Sequence, residues 1–298
     1  MSCAEMRQFL LLFVFVFLAF ICGALLSFPL YKILQIFSDI SFHKITSQLC
    51  SLSGLAFIFL YLHINNILDR TTAGFNITRA AAGQDLSTGL VMGIVIILVL
   101  ALTMWVLGML VPEPELDVNL QFLVTILIKA ILSGIMVALI EETLYRGALL
   151  GGLSKTTNIM TAIIVSSVIY SAVHYIKFPQ VPDTADINWL TGFVILAGAF
   201  DRFADPAIID SFLALFAFGV LLSLVRLNRG NIIQCIGLHA GAVFSIKLIK
   251  ELTDYAHGNN FGFLVNRYDH LLGYLAFAWL LIIIIFYYRF FFRQSRQL

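Results

Sequence analysis

The chain has 298 residues, 60% of them hydrophobic and only 12% charged, with a mean hydropathy of +0.96. That composition excludes an ordinary soluble domain and fits a membrane-embedded chain. A formal net charge of +1, with no long run of like charges, offers no field for nucleic acid, and nucleic-acid binding is set aside.

Apolar runs recur at lengths near the roughly 20 residues that a helix needs to cross about 30 Å of hydrocarbon. In chain order, spans are expected over Phe9–Leu30, Ile45–Ile64, Leu86–Leu110, Gln121–Leu150, Ile159–Ile176, Ser211–Leu227, Ile232–Ile249 and Leu271–Phe292. The first follows only Arg7 as an n-region charge, is long for a signal-peptide core, and is expected to be a retained anchor. The loop VPEPELDVN between the third and fourth spans is acidic and free of Lys and Arg, which suits the outer side. After the fifth span, Trp189–Phe200 (WLTGFVILAGAF) is too short to cross and too apolar to lie in water, so a re-entrant or interfacial segment is expected there. The C-terminal FYYRFFFR reads as interfacial and lipid-facing aromatics.

The fold class that follows is all-α, a polytopic integral membrane helical bundle of about eight transmembrane helices with one re-entrant segment. It reads as a single membrane domain over residues 1–298. Counted by alternating sides, ten Lys and Arg fall on the side of the termini and seven on the other, with Lys129 inside a span. The positive-inside rule then puts both termini in the cytoplasm. Cys3, Cys22, Cys50 and Cys235 are scattered without the spacing of a zinc knuckle or a disulfide framework, and read as small buried apolar residues.

Ionisable groups at membrane depth cost about 2.5–3.5 kcal/mol each on insertion scales, so they face a cavity or one another. In LIEETLYRG, Glu142 and Arg146 stand four residues apart on one helix face, where they can pair. Glu141 points about 100° away, on the face of Tyr145, free of that pair. His174 follows Tyr170 by one turn near the end of the fifth span. His239 lies inside the seventh among Gly237, Ala240 and Gly241, which permit close helix approach.

A turn at SKTTN brings Glu141 and His174 to similar depth. His239 reaches that depth only if the fourth and fifth helices project about 10 Å past the seventh. A carboxylate among apolar groups makes a competent general base, and two imidazoles can bind a metal or donate to an oxyanion; the residues leave both roles open. No HExxH or GxSxG motif is present in a span. An interfacial helix-end pair explains Glu142 and Arg146 without chemistry, and the same constellation suits a non-catalytic protein, either a proton-coupled transporter or an immunity or scaffold protein that keeps the fold. His43, His63, His257 and His270 lie in or beside loops and are given no function.

EETLYR (Glu141–Arg146), YSAVH (Tyr170–His174) and HAGAV (His239–Val243) resemble, in order, the EExxxR, FxxxH and HxxxN motifs of the CAAX protease and bacteriocin-processing family of intramembrane proteases, which includes the Ras-converting CAAX endopeptidase. Tyr170 stands where the pattern has Phe, and Val243 where it has Asn. The resemblance covers residues 121–244 and implies a catalytic core there. In it Glu141 activates a water for peptide hydrolysis, His174 and His239 position that water or bind a divalent metal such as zinc, and Glu142 and Arg146 hold the site together, with a more direct role also admitted. It further implies a bacterial inner (plasma) membrane location, a lipid environment, and membrane-associated peptides or lipid-anchored protein tails as substrates.

Overall fold

The computed structural model describes residues 3–64, 69–113, 116, 118–181 and 186–292. In chain order they form α1 (Cys3–Leu34), α2 (Phe42–Ile64), α3 (Arg79–Val106), β1 (Leu110–Pro112), α4 (Leu120–Glu142), a π-helical stretch (Thr143–Leu149), α5 (Leu150–Thr156), α6 (Ile159–Val173), α7 (Thr191–Gly198), α8 (Ile209–Arg229), α9 (Ile233–Leu252), β2 (Thr253–Tyr255) and α10 (Tyr274–Tyr287).

Among the described residues seven helical stretches are long and apolar enough to cross a bilayer, and α6 is a shorter apolar eighth. The helical membrane fold read from hydropathy is therefore the observed one, with two adjusted lengths. α6 has 15 residues, about 22 Å of rise, because the chain turns after Val173, where the Tyr175 and Ile176 amides bond back to Ala172 and Val173. The fourth span runs 36 residues from Leu120 to Lys155 as α4, the π stretch and α5 stack end to end. The apolar piece after α6 contains the eight-residue α7.

The contacts divide the chain into two compact units. The first comprises Met1–Leu68 and Ala172–Ile208. In it α1 and α2 pair closely because Gly23 lets the Cys50 backbone in, where a Cβ would come closer than 3 Å. Edge-to-face contacts of Phe15 with Phe57 and Tyr61 extend the seam. α7 lies against α1 through Gly192 at the Ala24 carbonyl and through the Phe28–Trp189 ring contact.

The second unit comprises Asp69–Ser171 and Ile209–Leu298. Its central contact is between α3 and α9. Gly89 and Gly93 meet the carbonyls of Gln234 and Leu238, while Gly237 and Gly241 meet those of Leu86 and Leu90. The spacing of four puts each glycine pair on one helix face, and only the missing Cβ atoms allow backbones this close. Asp85 of α3 accepts from Arg229 and from the Asn231 amide, fixing the α8–α9 turn, and β1 pairs antiparallel with β2 beyond the far ends of the same two helices.

α4 takes another face of α9, with Gly134 at the Ala240 carbonyl and Ala138, Ile232, Ile236 and Ala240 in one buried cluster. Asn119 caps the start of α4 by accepting from the Phe122 amide. α10 is tied on by Trp279 donating to the Ile96 carbonyl and by Asn228 bonding the Tyr287 hydroxyl.

The connection before α3 is strapped to the ends of three helices. Arg226 of α8 donates to the carbonyls of Thr71 and Thr72, the Ile232 amide donates to Gly74, and Lys155 of α5 pairs with Asp69 at 3.0 Å. Gly74 holds φ +78°, a left-handed conformation natural to glycine, directly beside the Arg226 guanidinium. The Thr72 hydroxyl, the Thr72 amide and Lys155 together hold the Asp69 carboxyl well below its ordinary value of 3.8.

Gly237→Leu should force α3 and α9 apart and lower the unfolding midpoint in detergent, at a cost of about 1–3 kcal/mol or more for overpacking. Gly83→Ala, at a position with open space beside it, should leave the midpoint unchanged or raise it by the helix propensity of about 1 kcal/mol. Because the folded pKa of Asp69 is depressed, its contribution to the strap is present above the unfolded value and is lost as pH falls through and below it. Hydrogen exchange should show the Thr72 amide losing protection progressively below about pH 4 in the parent chain, and already weakly protected near pH 6 in Asp69→Ala, which removes the acceptor.

Candidate functional site

α4 keeps ordinary helical bonding as far as Glu142, and the next seven residues, Thr143–Leu149, form the wider π-helical turns. Such turns are rare and gather at functional sites. Here they directly follow the two adjacent glutamates and carry Tyr145 and Arg146 into the interior, where both are buried.

Glu142 is 0% exposed, Arg146 1% and His239 3%, so three polar side chains meet with water excluded. The Glu142 Oε1 accepts from Arg146 Nη1 at 3.1 Å and lies 2.7 Å from His239 Nδ1. Arg146 also donates from Nη2 to the Gly219 carbonyl of α8 at 3.4 Å. Its guanidinium carbon stands 4.3 Å over the Tyr170 ring and 5.8 Å from that of Tyr145, so the cation has aromatic faces on one side and a carboxylate on another. Tyr170 and Phe218 present ring contacts at right angles to His239, at 6.1 and 5.6 Å between centroids, and restrict how the imidazole turns.

A carboxylate accepts, so the short contact places a hydrogen on His239 Nδ1, and in the neutral ring the lone pair is then on Nε2. That nitrogen lies 3.9 Å from Oε2 of Glu141, whose side chain is 25% exposed. The two neighbouring carboxylates thus bracket one imidazole, Glu142 at Nδ1 and Glu141 at Nε2. The buried carboxylate is neutralised by the Arg146 guanidinium.

The pairing of Glu142 with Arg146 is the one their spacing predicts, buried rather than interfacial. His239 reaches Glu142 because α4 and α5 do project past α9. Glu142 lies about four turns before the end of α5, whereas His239 lies about two turns after the start of α9, a difference on the order of 10 Å. Of the two glutamates the closer to His239 is Glu142, which serves the arginine and the histidine through one oxygen.

His174 belongs to the first unit and is exposed, one residue past the end of α6. Tyr170 itself is 1% exposed and sits on Arg146. Val243, one turn beyond His239, brings no polar group, and the nearby buried hydroxyl on α9 is that of Ser245. Phe218 and Gly219 had no signal in the sequence, because an aromatic and a glycine inside an apolar span look like any lipid-facing stretch.

Among the described residues no group of three or more His, Cys, Asp and Glu side chains could hold a metal ion. A guanidinium already occupies the cation position beside Glu142, and that carboxylate engages His239 Nδ1, so this donor set does not fit an ion.

Residues 123–245 match the family model described as type II CAAX prenyl endopeptidase Rce1-like. Over these residues the chain is similar to the family that its three motifs resemble, and the match supports a CAAX-type intramembrane protease in general terms. No curated protein and no solved structure compared with the chain matches it.

Removing one partner of a buried pair leaves the other charged and unsolvated, at about 3–5 kcal/mol. Glu142→Gln and Arg146→Met should each lower stability by that order in denaturant titration, and the double variant by less than their sum. Lys155→Ala, which breaks a pair that is half-exposed on both sides, should cost under about 1 kcal/mol.

Proposed function

We propose that this chain, Rce1-like over residues 123–245, is an intramembrane endopeptidase in which Glu141 activates the attacking water and the Glu142–Arg146 pair fixes His239 beside it. The single observation that carries the reading is the bracketing of His239 by two adjacent carboxylates, one buried and engaged, the other a quarter exposed and 3.9 Å from the free ring nitrogen. A separation of 3.9 Å is too long for a direct hydrogen bond, yet a water about 2.8 Å from both atoms would see them at an angle of about 90°.

Such a water donates one hydrogen to Glu141 and the other to His239 Nε2, which leaves a lone pair directed at a scissile carbonyl. Attack forms the C–O bond as Glu141 takes the proton. Collapse of the tetrahedral intermediate breaks the C–N bond, and Glu141 passes that proton to the departing amine. Glu142 and Arg146 act through the imidazole, holding its tautomer and its orientation. The resemblance also assigns His174 to the chemistry.

The substrates that suit such a site are membrane-associated peptides and lipid-anchored protein tails, reaching it from a lipid environment. The charge count supports cytoplasmic termini, and the resemblance implies a plasma membrane of bacterial type.

In proteoliposomes, Glu141→Gln should lower kcat for a lipid-anchored peptide by about 10²–10⁴-fold, the usual contribution of a general base, without loss of the folded state. His239→Ala and His174→Ala should each abolish cleavage. Undiminished turnover in Glu141→Gln would sink the proposal, and a parent chain that cleaves nothing while carrying protons would favour the transporter reading.

A further inference from the structure

The first unit holds a cavity of about 270 Å³ at the start of α2, lined by His43, Lys44, Ser47 and Gln48 of that helix and by Ile176, Lys177 and Phe178 after α6. The four α2 residues follow a spacing of i, i+1, i+4 and i+5, which places them on one face over the first two turns. Lys177 is held opposite by its backbone, its amide donating to the Ala199 carbonyl at 3.1 Å.

Every polar lining side chain can donate a hydrogen, two are lysines, and none is acidic. The first turn of α2 also carries no acid, so the partial positive charge of the helix start adds to the two ammonium groups instead of being neutralised. Phe42–Tyr61 is itself a candidate span, so its first turns stand where hydrocarbon gives way to headgroups. The volume falls just below the roughly 300–1,000 Å³ of sites that enclose a drug-sized ligand, which suits a small anionic group better than a whole lipid.

We propose that this cavity binds a phosphate group bearing net negative charge, supplied by the headgroup of an anionic phospholipid or by free phosphate. Ile176 and Phe178 give it an apolar wall beside the cationic one, as a group attached to glycerol and acyl chains requires. The site is independent of the proposed hydrolysis.

Thermal unfolding of the full chain in a zwitterionic detergent tests it with three probes: dihexanoyl phosphatidylglycerol, inorganic phosphate, and dihexanoyl phosphatidylcholine as a neutral headgroup control. A saturable upward shift with phosphatidylglycerol is expected, weakened about tenfold in apparent affinity by the double variant Lys44→Gln with Lys177→Gln. Lys32→Gln, an exposed lysine outside the cavity, should leave it unchanged. A matching response to inorganic phosphate identifies the anion itself as the ligand, and a response to phosphatidylglycerol alone identifies the lipid. An equal response from the double variant, an equal response to phosphatidylcholine, or no response to either phosphate probe would overturn the proposal.

Discussion

The second unit is organised around one buried carboxylate. Glu142 is fully removed from water within a chain that is otherwise oily, and a lone ion there would be costly. Arg146 cancels its charge, Tyr170 covers the arginine, and His239 uses the same carboxylate oxygen for its own hydrogen. The surrounding architecture accommodates this. The π-helical turns carry Arg146 inward, and the close contact of α4 with α9, where Gly134 meets the Ala240 carbonyl, brings His239 to within hydrogen-bond distance.

The same arrangement separates two residues that are chemically identical and adjacent in sequence. Glu142 has a guanidinium and an imidazole on one oxygen, and in the proposed function it is a positioning group. Glu141 keeps a partly exposed side chain near the free nitrogen of the oriented ring. A pair of carboxylates given unlike environments is what acid–base chemistry needs, because one must stay put while the other exchanges a proton. The match of residues 123–245 to an Rce1-like model supports a CAAX-type intramembrane protease in general terms.

Much of the fold was legible because lipid imposes a coarse rule: long apolar runs became helices, and the short run after the fifth contained a short helix. The pairing of Glu142 with Arg146 followed from spacing alone. The end of α6 at Val173, short of the expected Ile176, was not legible, because no hydropathy pattern announces a turn inside an apolar segment. The choice of His239 between two glutamates depends on ångström-scale helix register across α4 and α9, and Phe218 and Gly219 join the site only through tertiary packing.

The protonation state of one imidazole tests this account most directly. Nitrogen NMR of the ¹⁵N-histidine-labelled chain in lipid, with His239 assigned by difference against His239→Gln, reports which ring nitrogen carries the hydrogen. The account predicts a neutral ring protonated at Nδ1, an assignment that weakens in Glu142→Gln. A ring protonated at Nε2 with Nδ1 bare, unchanged when Glu142 is replaced, would contradict it.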